Sequence, residues 1–315
     1  MTPELLVADG VWKRYGDRDA LRDVRFSIRS GEAVGYLGPN GAGKTTTLKL
    51  LAGISRPTRG SVRVQGEDPS RDRQRALRRV GALVETPGVP AYVTGADLLE
   101  YVARVKGIAS ADCPSAIGRA ANAMGVADAL DRPFGSLSTG LARRVLLGAA
   151  LVGDPEVLLL DEPTLGLDPA ARDDLRTVLR GLARNGLTIL LSTHLLEDVE
   201  AVCERVLFLR NGTLVGDEPV RTDGSGKAGA ATRRLVLRFG SDVDEVAVRR
   251  ATGSGFDISM AGAREASIGF AGGDPAQQDL VGRVVREGLP LLAASVPESD
   301  LARRYLQLVG REEAT

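Results

Sequence analysis

Gly38-Pro39-Asn40-Gly41-Ala42-Gly43-Lys44-Thr45-Thr46 fits the pattern G-x-x-x-x-G-K-[ST], between an aliphatic run, Ala33 to Leu37, and a helical pattern, Lys44 to Ala52. Strand, glycine-rich loop and helix are thus contiguous. In that context the glycines let backbone amides turn inward around phosphate oxygens, and the helix N-terminus adds its positive end. Lys44 is expected to reach the outer phosphates and Thr45 to ligate Mg²⁺. The competing reading is a structural glycine turn, which would match this pattern by chance only rarely.

A second stretch completes the device. Val157-Leu158-Leu159-Leu160-Asp161-Glu162 is an aliphatic run ending in two carboxylates. Asp161 is the expected Mg²⁺ partner, and Glu162 is placed to polarise an attacking water, which makes the site a hydrolase rather than a nucleotide holder. Taken alone, Asp161-Glu162-Pro163 could equally be an ordinary helix N-cap.

The rest of the chain sets bounds on this reading. At 315 residues it is long enough for one large domain or two unequal ones. Lysine plus arginine equals aspartate plus glutamate at 41 each, so no global positive field invites nucleic acid or anionic lipid. The longest apolar stretch, Val145 to Gly153, falls short of the roughly 18 to 20 residues that cross a bilayer. The start, Met1 to Leu6, lacks the character of a signal peptide, and Cys113 and Cys203 suggest no disulfide framework. A cytoplasmic location is expected.

From Glu4 to about Val220, apolar runs alternate with amphipathic segments in the pattern of a layered α/β domain. Leu5 to Ala8, Ala20 to Ile28 and Ala33 to Leu37 read as strands, and Val157 to Leu160 and Thr188 to Leu191 as central parallel strands. Residues 221–231 are rich in glycine and read as a linker. Beyond it, over 232–315, Leu235 to Phe239, Asp242 to Ala251, Phe256 to Met260, Ala266 to Phe270, Asp274 to Glu287 and Leu291 to Val296 follow the order β-α-β-β-α-β, the ferredoxin-like series. A last helix, Glu298 to Val309, sets Leu301, Tyr305 and Leu308 on one face, so it can dock. Deleting everything from Arg221 onward is expected to leave a folded first domain.

Leu137-Ser138-Thr139-Gly140-Leu141 precedes an amphipathic helix, Ala142 to Leu151. Together with the phosphate loop, Asp161-Glu162, Gly166-Leu167-Asp168 and Ser192-Thr193-His194 in this order, it resembles the ABC ATPase family across residues 4 to 220. That resemblance implies a P-loop ABC ATPase domain with a mixed sheet core and a helical subdomain, using ATP and Mg²⁺. Two copies, or one copy and a paralogous ATPase, would pair head to tail. The trans signature Ser138, Thr139 and Gly140 of one would then face the nucleotide of the other, with Ser138 and Gly140 capping the γ-phosphate held by the other's Lys44. The resemblance further implies that Tyr15 stacks on adenine, that His194 contacts the γ-phosphate and stabilises the transition state, and that Asp168 communicates between the sites. The nucleotide would lie on Gly38, Pro39, Asn40, Gly41, Ala42, Gly43, Lys44, Thr45 and Thr46. Lys44, Glu162 and His194 would carry the catalysis.

Three features narrow the resemblance. Where the family usually has a metal-contacting glutamine, this chain has Glu85, as in a subset of antibiotic-exporting ABC ATPases; a glutamate can still ligate Mg²⁺ but adds negative charge. Thr139 and Leu141 stand where glycine and glutamine are commoner. Asp131 to Gly135 lacks the glutamate-bearing motif of exporters whose membrane and ATPase domains share one chain. Separate integral-membrane permease subunits are therefore expected as partners, with this chain peripheral on the cytoplasmic face of the membrane. The segment after the linker resembles the small C-terminal domain of daunorubicin-resistance-like export ATPases. An exporter of drugs or small molecules is the leading expectation. The alternative is a soluble ABC ATPase in translation or DNA maintenance, although those usually carry tandem ATPase domains or long coiled coils, and one phosphate loop and no sustained heptads are found here. A P-loop kinase or GTPase would need an acceptor lid or a guanine-reading Asn-Lys-x-Asp, and neither is found.

Overall fold

The computed structural model describes residues 2–85, 87–220, 232–253, 255–271, 274–295 and 300–309. The expected linker, 221–231, lies outside them, as do Thr86 and the ends at Val296 and Glu298 of two expected elements. Elements follow in the order β1 Glu4–Tyr15, β2 Arg18–Arg29, β3 Ala33–Leu37, α1 Lys44–Leu51, β4 Arg59–Val64, α2 Arg73–Ala76, β5 Val80–Leu83, α3 Gly95–Val105, α4 Cys113–Met124, α5 Thr139–Leu151 and β6 Val157–Asp161. Then come α6 Pro169–Arg184, β7 Thr188–Thr193, α7 Leu196–Val202, β8 Arg205–Arg210 and β9 Thr213–Pro219. The last group is β10 Thr232–Phe239, α8 Glu245–Thr252, β11 Asp257–Met260, β12 Glu265–Ala271, α9 Asp274–Arg286, β13 Leu291–Ser295 and α10 Asp300–Val309.

The first unit is built on a six-stranded sheet of order β5-β6-β7-β3-β8-β9, parallel except for the last pair. β3, β6 and β7 are buried at every residue, which explains why their central residues do not alternate between apolar and polar. Parallel register brings the carboxyl ends of four strands to one edge: Leu37 pairs Thr193, Asp161 pairs Ser192, and Leu83 pairs Leu160. In such sheets that edge is where ligands bind. A separate antiparallel sheet, β2-β1-β4, packs with β3 and α1 in one apolar core. Helices α3, α4 and α5 pack on one another as the helical subdomain.

Several boundaries differ from the sequence expectation. β1 runs on to Tyr15, because pairing with β2 and β4 continues through irregular register past Ala8. β7 extends to Thr193. α5 begins at Thr139 rather than Ala142, with Ser138 as its N-cap accepting from the Leu141 amide at 3.3 Å. α8 starts at Glu245, where the Asp244 carboxylate takes the Ala247 amide at 2.7 Å. Asp161-Glu162-Pro163 caps no helix: Glu162 is left-handed at φ 45°, and the next helix waits until Pro169 behind Asp168.

The second unit has the antiparallel order β11-β12-β10-β13 and its own core of Leu235, Leu237, Phe239, Ile268 and Phe270. With α8 and α9 in their places along the chain, this is the ferredoxin-like arrangement.

Compactness divides the chain as Met1–Arg221 with Arg304–Thr315, and Thr222–Arg303. The end of α10 thus packs on the first unit. Arg304 pairs with Glu218 at 2.6 Å, Arg210 donates to the Leu308 carbonyl at 3.3 Å, and Tyr305 meets Phe208 with ring centroids 6.3 Å apart. A Cβ on Gly216 would come 2.7 Å from Leu308 Cδ1, so this contact is tight. The expectation for the deletion therefore changes. Removing residues 221–315 takes the cover off Phe208 at a cost of about 2 kcal/mol, or roughly 4 to 8 °C in the melting temperature. Thermal unfolding of the truncated and full chains checks this, and identical melting of the first unit would mean that α10 contributes nothing.

Candidate functional site

The phosphate loop has a physical reason for each glycine that matters most. A Cβ on Gly38 would lie 2.2 Å from the Leu209 carbonyl oxygen. Gly43 has φ +112° and would place a Cβ 2.7 Å from the Ala20 carbonyl. Both positions exclude other residues, and both are set by strands packed behind the loop. Asn40 and Gly41 form its exposed tip, and the Ala42 amide closes a turn on the Pro39 carbonyl at 3.2 Å. Lys44, Thr45 and Thr46 open α1.

The Lys44 ammonium is buried, donates to the carbonyls of Gly38 at 2.7 Å and Pro39 at 3.2 Å, and lies 3.4 Å from Glu162 Oε1. Glu162 Oε2 is 2.9 Å from His194 Nδ1. A carboxylate only accepts, so the Nδ1 proton donates and Nε2 is left for another partner. Next along the edge, the Ser192 hydroxyl donates to Asp161 Oδ1, leaving the other carboxylate oxygen available. Lysine, two adjacent acids and the single histidine of the chain therefore meet at the carboxyl ends of β3, β6 and β7. His194 is neither a core residue nor a cap.

Glu85 follows β5 at φ 68° and pairs with Lys49 of α1 at 2.6 Å. The carboxylate holds the Lys49 ammonium above the usual lysine range, against the opposing effect of burial. Tyr15 ends β1 half-exposed, with the Lys13 ammonium 4.8 Å from the ring centroid. Thr45 and Asp161 offer only hard oxygen donors, a set that fits Mg²⁺ held partly by nucleotide phosphates. Ser138 and Thr139 are exposed at the start of α5, and Gly140 follows in its first turn. Asp168 is exposed and caps α6, taking the Ala171 amide at 2.9 Å.

Sequence reasoning missed the groups that fix these loops. Arg143 of α5 donates to the carbonyls of Glu162 and, at 2.8 Å, Pro163, while its burial lowers the guanidinium pKa against the pull of Asp161 and Glu162. Asp198 is fully buried: it takes Arg176 at 2.7 Å on one oxygen and the hydroxyls of Thr164 and, at 3.1 Å, Thr193 on the other. A carboxylate four residues past His194 in the run Leu195 to Val199 was the available signal.

A phosphate loop backed by paired carboxylates and a histidine at the carboxyl edge of a parallel sheet defines a P-loop nucleoside-triphosphate hydrolase. Residues 21–165 match the family model described as ABC transporter. The Nod factor export ATP-binding protein I of Burkholderia orbicola is 39% identical over 75% of this chain and 74% of its own. The uncharacterized ABC transporter ATP-binding protein YhcH of Bacillus subtilis is 35% identical over 70% and 71%. The chain belongs to the ABC transporter ATP-binding proteins, subunits that hydrolyse ATP. A solved structure of the ATP binding subunit of an ABC transporter shares 29% identity with a TM-score of 0.62, covering 69% of this chain and 90% of that one.

Proposed function

We propose that this subunit energises an exporter of drugs or other small molecules through separate membrane-embedded permease subunits, working as a head-to-tail dimer on the cytoplasmic face of the membrane. In this reading Lys44 holds the outer phosphates, Thr45, Asp161 and Glu85 serve Mg²⁺, and Glu162 draws a proton from the attacking water. His194, paired to Glu162 at 2.9 Å, contacts the γ-phosphate. Tyr15 carries the adenine, Asp168 links the two sites, and Ser138 and Gly140 complete the site of the opposite copy. Their place at a helix start, with Ser138 exposed and Gly140 half-buried in the first turn, where amides lack partners within the helix, supports that role. Nod factor export by relatives over 74% of their length supports an outward direction.

The observation that carries coupling to a membrane partner is Tyr92, which is 81% exposed seven residues after Glu85. Tyr92 therefore does not pack beneath the helical subdomain, while Val93 beside it is half-buried. The loop is instead pinned by its backbone, with the Phe134 amide on the Val93 carbonyl at 2.8 Å and Gly135 on Ala91 at 3.0 Å. Tyr101 and Val105 on α3 are exposed as well. Among the described residues no helix is long and apolar enough to cross a membrane. Tyr92→Asp is expected to leave the ATPase rate of the isolated subunit unchanged and to abolish co-purification with the permease from detergent extracts, because a desolvated charge in an interface costs several kcal/mol. Full recovery of the permease would place the docking surface elsewhere.

A further inference from the structure

Glu85 gives the nucleotide site an acid where the family usually has a neutral amide, so its charge has to be accommodated. β5 and β6 run in parallel register, Leu83 beside Leu160, which carries Glu85 to the same edge as Asp161 and Glu162. Three carboxylates there would face an anionic polyphosphate, with Lys44 and the Arg143 guanidinium set beside Asp161 and Glu162. For Glu85 the structure supplies a further cation. Lys49 lies on α1, the helix that opens at the phosphate loop, and its Nζ is 2.6 Å from Glu85 Oε1. Lys49 is 27% and Glu85 63% exposed, so the pair is wet enough to exchange partners.

From this geometry we infer that Lys49 is a positioning residue for the nucleotide site: it neutralises Glu85 while nucleotide enters, and it competes with Mg²⁺ for the same carboxylate. The inference rests on reading Glu85 as a metal ligand. Its physical basis is simple. An ammonium and a magnesium ion both seek a carboxylate oxygen, so the one that holds it withdraws it from the other. With Lys49 in place, the site presents less repulsion to the polyphosphate. Once the metal arrives, the lysine stem, flexible and partly solvated, can yield the oxygen.

The test is a cycle of K49M, E85Q and their combination in the full chain, with K49R as a variant that keeps the charge. Titration calorimetry with ATP in excess EDTA reads the first effect. K49M is expected to weaken metal-free ATP binding about threefold to tenfold, an amount set by one partly exposed charge. E85Q should remove this sensitivity, so that the double variant binds within about twofold of E85Q alone. Mn²⁺ binding to the ATP complex, followed by electron paramagnetic resonance, reads the second. K49M should tighten it with Glu85 present and leave it unchanged in the E85Q background, and K49R should match the wild type in both assays.

Equal weakening by K49M with and without the carboxylate would overturn the inference, since Lys49 would then act on the nucleotide itself. So would an absence of any effect in both assays. K49M that responds in the EDTA assay but leaves Mn²⁺ affinity unchanged overturns the competition and, with it, Glu85 as a metal ligand. A wild-type chain unable to bind ATP would sink the nucleotide-site reading as a whole, independently of Lys49.

Discussion

Glu162→Gln is expected to lower ATP hydrolysis by about two to four orders of magnitude while leaving MgATP binding intact, because it removes only the proton acceptor. The substitution keeps the size and the backbone demands of the residue. Glu162 sits in the left-handed region at φ 45°, held by its amide on the Ser192 carbonyl at 3.0 Å and by Arg143 on its own carbonyl. A glutamine amide can still meet His194. Phosphate charge recognition stays with Lys44 and the loop amides, so the bound nucleotide persists and a closed dimer should accumulate. Lys44→Ala is the counterpart, losing hydrolysis together with tight nucleotide binding, because no other buried ammonium lies on the Gly38 and Pro39 carbonyls among the described residues. Size-exclusion chromatography with saturating MgATP separates the two. A Glu162→Gln chain that remains monomeric under conditions where the wild type hydrolyses ATP would refute head-to-tail pairing.

Asp198→Ala is expected to destabilise the first unit by about 3 to 5 kcal/mol, the range for removing one partner of a buried ion pair. Its carboxylate joins three elements. Thr164 lies two residues after Glu162, Thr193 immediately precedes His194, and Arg176 belongs to α6, so the Asp198 side chain ties the loops of both proposed catalytic residues to one helix. Without it the Arg176 guanidinium keeps only Asp173, at 3.0 Å, among its described acidic partners. Hydrolysis should fall as well, since Glu162 and His194 lose a shared support. Urea unfolding measured beside the ATPase rate gives the answer. A loss below about 1 kcal/mol would place Asp198 among ordinary surface pairs, where partners are readily replaced.

The candidate nucleotide site was legible because its pattern is local in sequence. Loop amides, lysine and hydroxyl fall within Gly38 to Thr46, and the acids follow their strand directly. Even the docking face of α10 could be seen in the spacing of Leu301, Tyr305 and Leu308. What it docks against could not. Phe208 and Glu218 lie about ninety residues away, and nothing in either segment marks the other.

The amino-acid sequence by itself determined the α/β class, the P-loop with its carboxylate pair and lone histidine, and the β-α-β-β-α-β order of the second unit, since glycine conformation, strand burial and helix periodicity act over a few residues. Tertiary structure alone decided that Asp198 bridges the loops that carry Glu162 and His194, that Arg143 fixes the backbone of Glu162, that Lys49 pairs with Glu85, and that the end of α10 from Arg304 packs on the first unit. Each of these is a pairing of side chains brought together by strand register and helix packing. Charge and hydrogen-bond complementarity act through space, and the chain's order carries no mark of them until it has folded.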